Sequence, residues 1–394
     1  MLRIMTPLIL IVVVMVSIQG CASPEEEIPV DTAFGRMLSM VPYSFLEEQD
    51  IWYNDHEKVF ELHGIEGIPN MEDAMKLPEE EIEPIREASE DLIGPIWRVQ
   101  NIRPIAGFDG TMIKSSAFID IIPPRSFSIT EGEFDKDLIA GKLTEQGYET
   151  TTHGDVTYFT TKEEGISFAN ELSRLVPGLM NHLAVLDDVL VIAPHTERMT
   201  AILDTIAGDE PSVRGNAACR AVAESLGDVI AAQITTPDRV TTPDSRARGI
   251  PPYDFDIPDD WGILHQWEMA ALGYQNNGTE RYWIISLYYA DNDAARADGA
   301  ELVKRMKGYL FNTQLPQAEN VPLTERFEVG EPIIRKYPDG ATLTVINRFY
   351  AETGGIYMLM SGAGIRDILF LAPDPSLYIG KPENTVIIRE IPIP

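Results

Sequence analysis

The side chains able to do chemistry in this sequence are sparse and poorly spaced for the familiar reactions. Its six histidines are His56, His63, His153, His182, His195 and His265. None has a second histidine four residues on, and His56-Glu57 lacks the distal His with which a zinc-protease helix closes its metal on one face. His56 and His63 can share a helical face, but the pair reads as surface side chains. The two cysteines, Cys21 and Cys219, are too few for a zinc site of paired thiolates. Cys219 lies in a helix-like run of small residues from Ala217 to Val222 with no adjacent base, so it reads as a small buried hydrophobe. Ser361-Gly362-Ala363-Gly364 has the trailing glycines of a nucleophile elbow, but Leu359 stands where the leading glycine is needed. No phosphate-binding glycine loop ends in Lys and Ser or Thr, and no dinucleotide fingerprint follows a strand.

Carboxylates are the more abundant resource. Asp254, Asp256, Asp259 and Asp260 crowd one short segment. Flexible acidic loops can supply the several oxygens that Ca²⁺ takes, yet the turn glycine and terminal glutamate of an EF-hand loop are misplaced. The segment reads as a solvated acidic linker. Asp188 and Asp367 precede two similar apolar runs and could face each other as the paired carboxylates of a hydrolase. The simpler account is an Asp side-chain turn leading into each strand. Asp291-Asn292-Asp293 reads as the cap and first-turn acid of a helix. The sequence therefore assigns no catalytic residue, no metal ligand and no cofactor-binding residue.

The elements expected around these residues are short. Asp31-Thr32 should cap a helix ending at Met40 before Pro42, Ile51 to Tyr53 a strand, and Leu77 to Ile93 a helix that Pro84 kinks or breaks. Beyond residue 95 the pattern reads as a repeated α+β module. Ala106 to Thr111 parallels Leu272 to Thr279, each read as a strand meeting a glycine turn, with second strands at Ala117 to Ile122 and Tyr282 to Tyr289. Amphipathic helices follow, Phe134 to Gln146 with Leu138, Ile139 and Leu143 on one face, and Ala294 to Leu310 with Leu302, Val303 and Met306. Hairpins come next, around His153-Gly154-Asp155 and around Pro338-Asp339-Gly340. Each module closes on an apolar run ending in Ala-Pro, Val189 to Pro194 and Ile368 to Pro373. Between them lie helices from Thr196 to Ala207 and Asn216 to Leu226 and a strand from Val229 to Thr235.

The expected fold is α+β: two tandem pseudo-repeated modules of mixed or antiparallel sheet with helices on one face, plus a small N-terminal subregion. The divisions are a signal peptide at 1–20, a tether at 21–30, the subregion at 31–95, module one at 96–235, a Pro- and Asp-rich linker at 236–262 and module two at 263–394. In outline this resembles exported bacterial α+β repeat proteins of no characterised activity, and no functional residue follows from that likeness.

The N-terminus carries an address. Met1-Leu2-Arg3 is a short positive start, Leu8 to Val16 is unbroken and apolar, and Ser17-Ile18-Gln19-Gly20-Cys21 follows. The run suits a signal-peptide core and is shorter than the ~20 apolar residues of a membrane span. The residues before Cys21 resemble the lipobox of bacterial lipoproteins, with Ile18 at the aliphatic position and Gly20 at the small one; Gln19 departs from the usual small or apolar residue. The resemblance covers these 21 residues. It implies cleavage by signal peptidase II, a diacylglyceryl thioether and a further acyl chain on Cys21, and so a membrane partner through that lipid. Two or more chains anchor stably where one does not.

Composition fits a folded exported body. Hydrophobic residues make up 44% and charged residues 24%, ordinary for a globular protein. The formal net charge is −31, and it disfavours nucleic acid and anionic headgroups as partners. With Cys21 lipidated, no intramolecular disulfide can form, so the fold must stand on its core. The expectation is a lipid-anchored binding or scaffolding protein of the cell envelope, its partner an envelope protein or small ligand. The alternatives are an extracytoplasmic hydrolase with a non-local carboxylate site and a purely structural envelope protein.

Overall fold

The computed structural model describes residues 32–66, 78–92, 102–119, 126–168, 170–175, 179–237, 262, 264–308, 310–311, 321–350 and 369. Asp254, Asp256, Asp259, Asp260, Asp367, Ser361 and Cys21 lie outside them.

Among the described residues the chain opens with helices α1 (Ala33–Met40) and α2 (Tyr43–Glu48), strand β1 (Ile51–Asp55), and helices α3 (His56–His63), α4 (Glu79–Asp91) and α5 (Arg103–Ala106). Then come β2 (Ile113–Ile119), β3 (Phe127–Gly132), α6 (Lys136–Glu145), β4 (Glu149–His153), β5 (Val156–Thr160), α7 (Glu171–Leu175), β6 (His182–Val185) and β7 (Val189–Ala193). Helices α8 (Thr196–Ala207) and α9 (Ala217–Leu226) lead to β8 (Ala231–Thr235), β9 (Met269–Asn276), β10 (Arg281–Tyr289) and α10 (Asn292–Gly308). The short strands β11 (Leu310–Phe311), β12 (Val321–Pro322) and β13 (Phe327–Glu328) precede the hairpin β14 (Pro332–Tyr337) and β15 (Gly340–Phe349).

Local chemistry sets many of these boundaries. The Thr32 hydroxyl accepts from the Gly35 amide to start α1, and the Asn216 side chain accepts from the Cys219 amide to start α9. The Asp291 carboxylate accepts from the Asp293 amide ahead of α10. Gly147, with φ 85°, follows α6 in the left-handed region that glycine reaches without a Cβ clash. Other expectations are corrected. Helix α4 runs through Pro84 without a break, because a single missing amide bond is outweighed by the burial of Ile85, Ala88 and Leu92. The stretch before Gly107 is the short helix α5, not a strand, and β2 starts at Ile113.

One antiparallel sheet holds thirteen strands in the order β13-β15-β10-β9-β8-β1-β2-β3-β7-β6-β5-β4, with β14 also paired to β15. Strand β1, from the segment before residue 96, lies between β2 and β8, with Tyr53 opposite both Ala117 and Ala232. It thus joins the strands of both halves into one sheet.

Helices cover both faces, not one. The reason is visible in β7 and β10, which are apolar at nearly every position and so have no side to give to water. On one face Ile51, Ile119, Phe127, Ala193, Ile234 and Ala271 run without a polar break beneath α1, α2, α8 and α9. On the other face the core splits. One part packs β9, β10 and β15 against α3, α4 and α10; the other packs β6 and β7 against α5, α6 and α7. Between them the same face carries a polar row of Asn54 on β1, Ser116 on β2 and Thr130 on β3, beside a row in which Trp52 and Phe118 separate Gln233 on β8 from Ser128 on β3. A polar stripe therefore divides two apolar cores. In α6, Ile139 and Leu143 are buried as expected, whereas Leu138 is exposed.

Both halves begin with a hairpin and a helix, β2-β3-α6 and β9-β10-α10. They then diverge. Strand β10 pairs directly with β15, whereas β3 pairs with β7 and leaves β4-β5 at the far edge. Leu190 is buried in β7 and Leu369 is also buried, but Leu369 has helical backbone and its carbonyl accepts from the Trp267 indole at 3.3 Å. The expected equivalence of these two leucines as strand residues does not hold, because Leu369 has helical backbone while Leu190 lies in β7.

Candidate functional site

The polar stripe ends at a cleft able to receive a ligand. Asp55 ends β1 and caps α3, its carboxylate accepting from the Lys58 amide at 3.0 Å. The chain turns at once from strand to helix, so α3 lies over β2. Val59 points into the core, leaving Glu57, Phe60 and Glu61 on the flank. That flank, Gly64 to Glu66, Arg103 of α5, Met112 to Lys114 and Glu133 enclose a cleft of ≈ 600 Å³. Its walls mix Phe60, Ile65, Met112 and Ile113 with four glutamates and two cations.

The charges are arranged unevenly. Lys114 stands 2.9 Å from Glu133 and 3.7 Å from Glu57, and the bond to Glu133 holds its ammonium above the usual lysine range. Arg103 has no ion pair among the described residues. The cleft thus offers one neutralised cation, one open cation, surplus carboxylates and an apolar floor. Such a mixture suits orienting a polar ligand against apolar walls.

Beside it lies a contact that sequence reasoning missed. His56 Nε2 is hydrogen-bonded to Ser116 Oγ at 2.9 Å, and both residues are buried. Burial depresses the His56 pKa to about 4, so the ring is neutral near pH 7. A hydroxyl and a neutral imidazole at this distance are two parts of a nucleophilic constellation. The third is wanting: among the described residues no carboxylate is hydrogen-bonded to this ring. The 60-residue separation of the pair left no local signal.

The remaining histidines are mostly fasteners. His63, expected at the surface like His56, is partly buried and bonded to Asp91 at 2.8 Å. His153 holds Asp204 at 2.6 Å, and His265 holds Asp298 at 2.6 Å, which also accepts from Tyr289 at 2.9 Å. The Glu164 carboxylate receives the Thr196 amide at 3.0 Å and hydroxyl at 2.6 Å, and His195 at 3.1 Å, fixing the start of α8. Among the described residues no three His, Cys, Asp or Glu side chains converge to hold a metal ion. Cys219 is buried, and burial pushes its thiol up to about 12, which leaves it unreactive. Asp188 is exposed in the turn before β7, where its carbonyl accepts from the Gly132 amide at 2.8 Å. No helix of the described residues is long and apolar enough to cross a membrane.

Fold and site together define an antiparallel α+β protein with a charged cleft at the end of an interior polar stripe. No family model matches the chain, and no curated protein matches it. Among solved structures it is similar to crystal form I of TP0453, at 10% identity and a TM-score of 0.32, over 84% of this chain and 97% of that one. A TM-score that low establishes neither a shared fold nor a shared activity.

Proposed function

We propose that this protein is a lipid-anchored component of the bacterial cell envelope whose α+β body binds a partner or small ligand in the α3–β2 cleft. The observation that carries the reading is the apolar run from Leu8 followed by Ile18-Gln19-Gly20-Cys21, which puts a lipidation signal directly before a short acidic tether. The cleft supplies a place to bind, with apolar walls to desolvate a ligand and Arg103 to orient it. Intact-mass measurement on membrane-extracted protein tests the anchor: the expected species begins at Cys21 and carries acyl chains, and a lipid-free mature N-terminus elsewhere defeats it. Native mass spectrometry of the same material tests the cleft. A retained ligand should be lost in Arg103→Ala and Phe60→Ala; retention in both variants removes the cleft from the proposal.

A hydrolase is the second reading, favoured by the His56–Ser116 contact beside four glutamates. A fluorophosphonate probe that labels Ser116 in the native protein, and not in His56→Ala, would turn the assignment toward it.

A further inference from the structure

The sheet end opposite the cleft carries an apolar surface that the core does not use. Ile166, Phe168 and Leu175 are 61%, 59% and 55% exposed. They follow β5 and lie on one loop and on α7, where the Arg174 Nε–H donates to the Phe168 carbonyl at 3.3 Å. The loop that displays them is braced. Buried Asn181 donates to the carbonyls of Gly165 at 2.6 Å and Pro194 at 3.1 Å, and the Gly165 amide donates to Pro194 at 3.0 Å. Glu164 is tied to the start of α8, and Asn170 and Ser173 bond each other reciprocally, amide to side chain, at 2.9 and 2.8 Å. Lys162, with φ 65°, takes a backbone conformation uncommon outside glycine, asparagine and aspartate to begin the loop. Fixed polar bonds thus hold three large apolar side chains in water.

We infer that Ile166, Phe168 and Leu175 form a second membrane contact, inserting into the outer layer of the bilayer that holds the lipid on Cys21. The inference rests on the anchoring reading, which says that the chain lives at a bilayer. The reach is adequate. Arg36 of α1 lies 3.8 Å from Glu131. From Glu131 the ladder runs through Val189, four residues along β7 to Ala193, then across His182 to Thr160. Three strand spacings across and four residues along give about 20 Å in the plane of the sheet; α1 and α7 lie on opposite faces, each about 10 Å from it, so the straight-line separation is about 28 Å, and a helical turn back to Thr32 adds about 5 Å. Residues 21–31 span up to about 36–40 Å when extended. The anchor and the patch can therefore meet one bilayer together. The acidity of the chain, at a net charge of −31, makes the contact apolar in character and weaker on anionic lipid.

The test is flotation of the full mature chain carrying Cys21→Ser, which removes the lipid and isolates the patch. With phosphatidylcholine vesicles the protein should float, and with phosphatidylglycerol added it should float less. I166S/F168S/L175S should lower the bound fraction about tenfold or more, since binding scales with the apolar area inserted. In Phe168→Trp, brominated acyl chains should quench the new indole beyond the change seen in the parent. Absence of flotation in the parent, equal flotation of the triple variant, or an unquenched indole overturns the inference. So does a triple variant that instead converts a dimer to a monomer in light scattering, because the face then belongs to a second copy. Intact mass tests the anchor on separate material, so failure of one reading is not failure of the other.

Discussion

Tyr274 donates its phenolic O–H to Asp91 at 2.8 Å across 183 residues of sequence. The same carboxylate accepts from the Asn276 side chain at 3.0 Å and meets His63 Nε2 at 2.8 Å. One buried carboxylate thereby ties α4 to β9 and to the C-terminal end of α3, the helix that forms a wall of the cleft. Burial first, and the Asp91 charge second, push the tyrosine's pKa up, so the phenol stays a donor.

Replacing Asp91 with Ala should destabilise the fold by about 2–4 kcal/mol, since a buried phenol and amide lose their charged acceptor. Tyr274→Phe should cost about 1 kcal/mol, and the double variant should cost less than the sum, because the two side chains share one interaction. Urea unfolding of the four proteins checks this; strict additivity would show that the contact contributes nothing.

His56 makes stability depend on pH in a stated direction. Its folded-state pKa is depressed from 6.5 to about 4 by burial. Below pH 6.5 the unfolded chain binds a proton that the folded chain refuses. The contribution is therefore fully present above pH 6.5 and is lost as pH falls toward 4. At about 1.36 kcal/mol per pH unit the loss is on the order of 3 kcal/mol. Denaturant midpoints between pH 7 and 4 should fall less steeply in His56→Gln, and parallel curves would contradict the assignment.

Cys219 should be inert in the native protein. It is buried and its thiol is pushed up to about 12. A disulfide reagent at pH 8 should modify it only as fast as the protein opens, about 100-fold or more slower than in denaturant. Fast native labelling would place the thiol at the surface.

Two glycines should respond oppositely to Ala. A Cβ on Gly132 would lie 2.1 Å from the Met112 carbonyl oxygen, so Gly132→Ala should cost about 1–3 kcal/mol and disturb the adjoining cleft wall. Gly141, within α6, has nothing within 4 Å of the added atom. There Ala should stabilise by about 0.5–1 kcal/mol through the restricted unfolded chain. Thermal melts of the pair decide it, and equal shifts would refute both.

Much of this architecture was readable along the chain. Thr32 and Asn216 announce their helices because a side-chain oxygen satisfies a free amide at a helix start, an interaction spanning three residues. Helix α8 falls at Thr196–Ala207 where the sequence placed it, and Pro338-Asp339-Gly340 turns the β14–β15 hairpin. The α+β class follows from such local signals, which left the sheet mixed or antiparallel, and the lipobox-like run before Cys21 is wholly local. In the second half the opening strands and the helix after them fall where the sequence placed them, whereas in the first half the first expected strand is helix α5 and β3 carried no recognised signal.

Tertiary structure alone decided the rest. Alternation told which residues share a face, but not that both faces would be roofed; that depended on apolar strands such as Val189–Ala193 finding helices on each side. Nothing near Ile51 says that β1 will sit between strands ending at Ile119 and beginning at Ala231. That placement aligns Asn54, Ser116 and Thr130 into one stripe and sets His56 on Ser116. Caps, turns and the lipobox-like pattern span only a few covalent bonds, so they can be read from residue order. The stripe, the cleft and the His56–Ser116 contact arise from side chains far apart in the chain, and only the packing that closes the sheet brings them together.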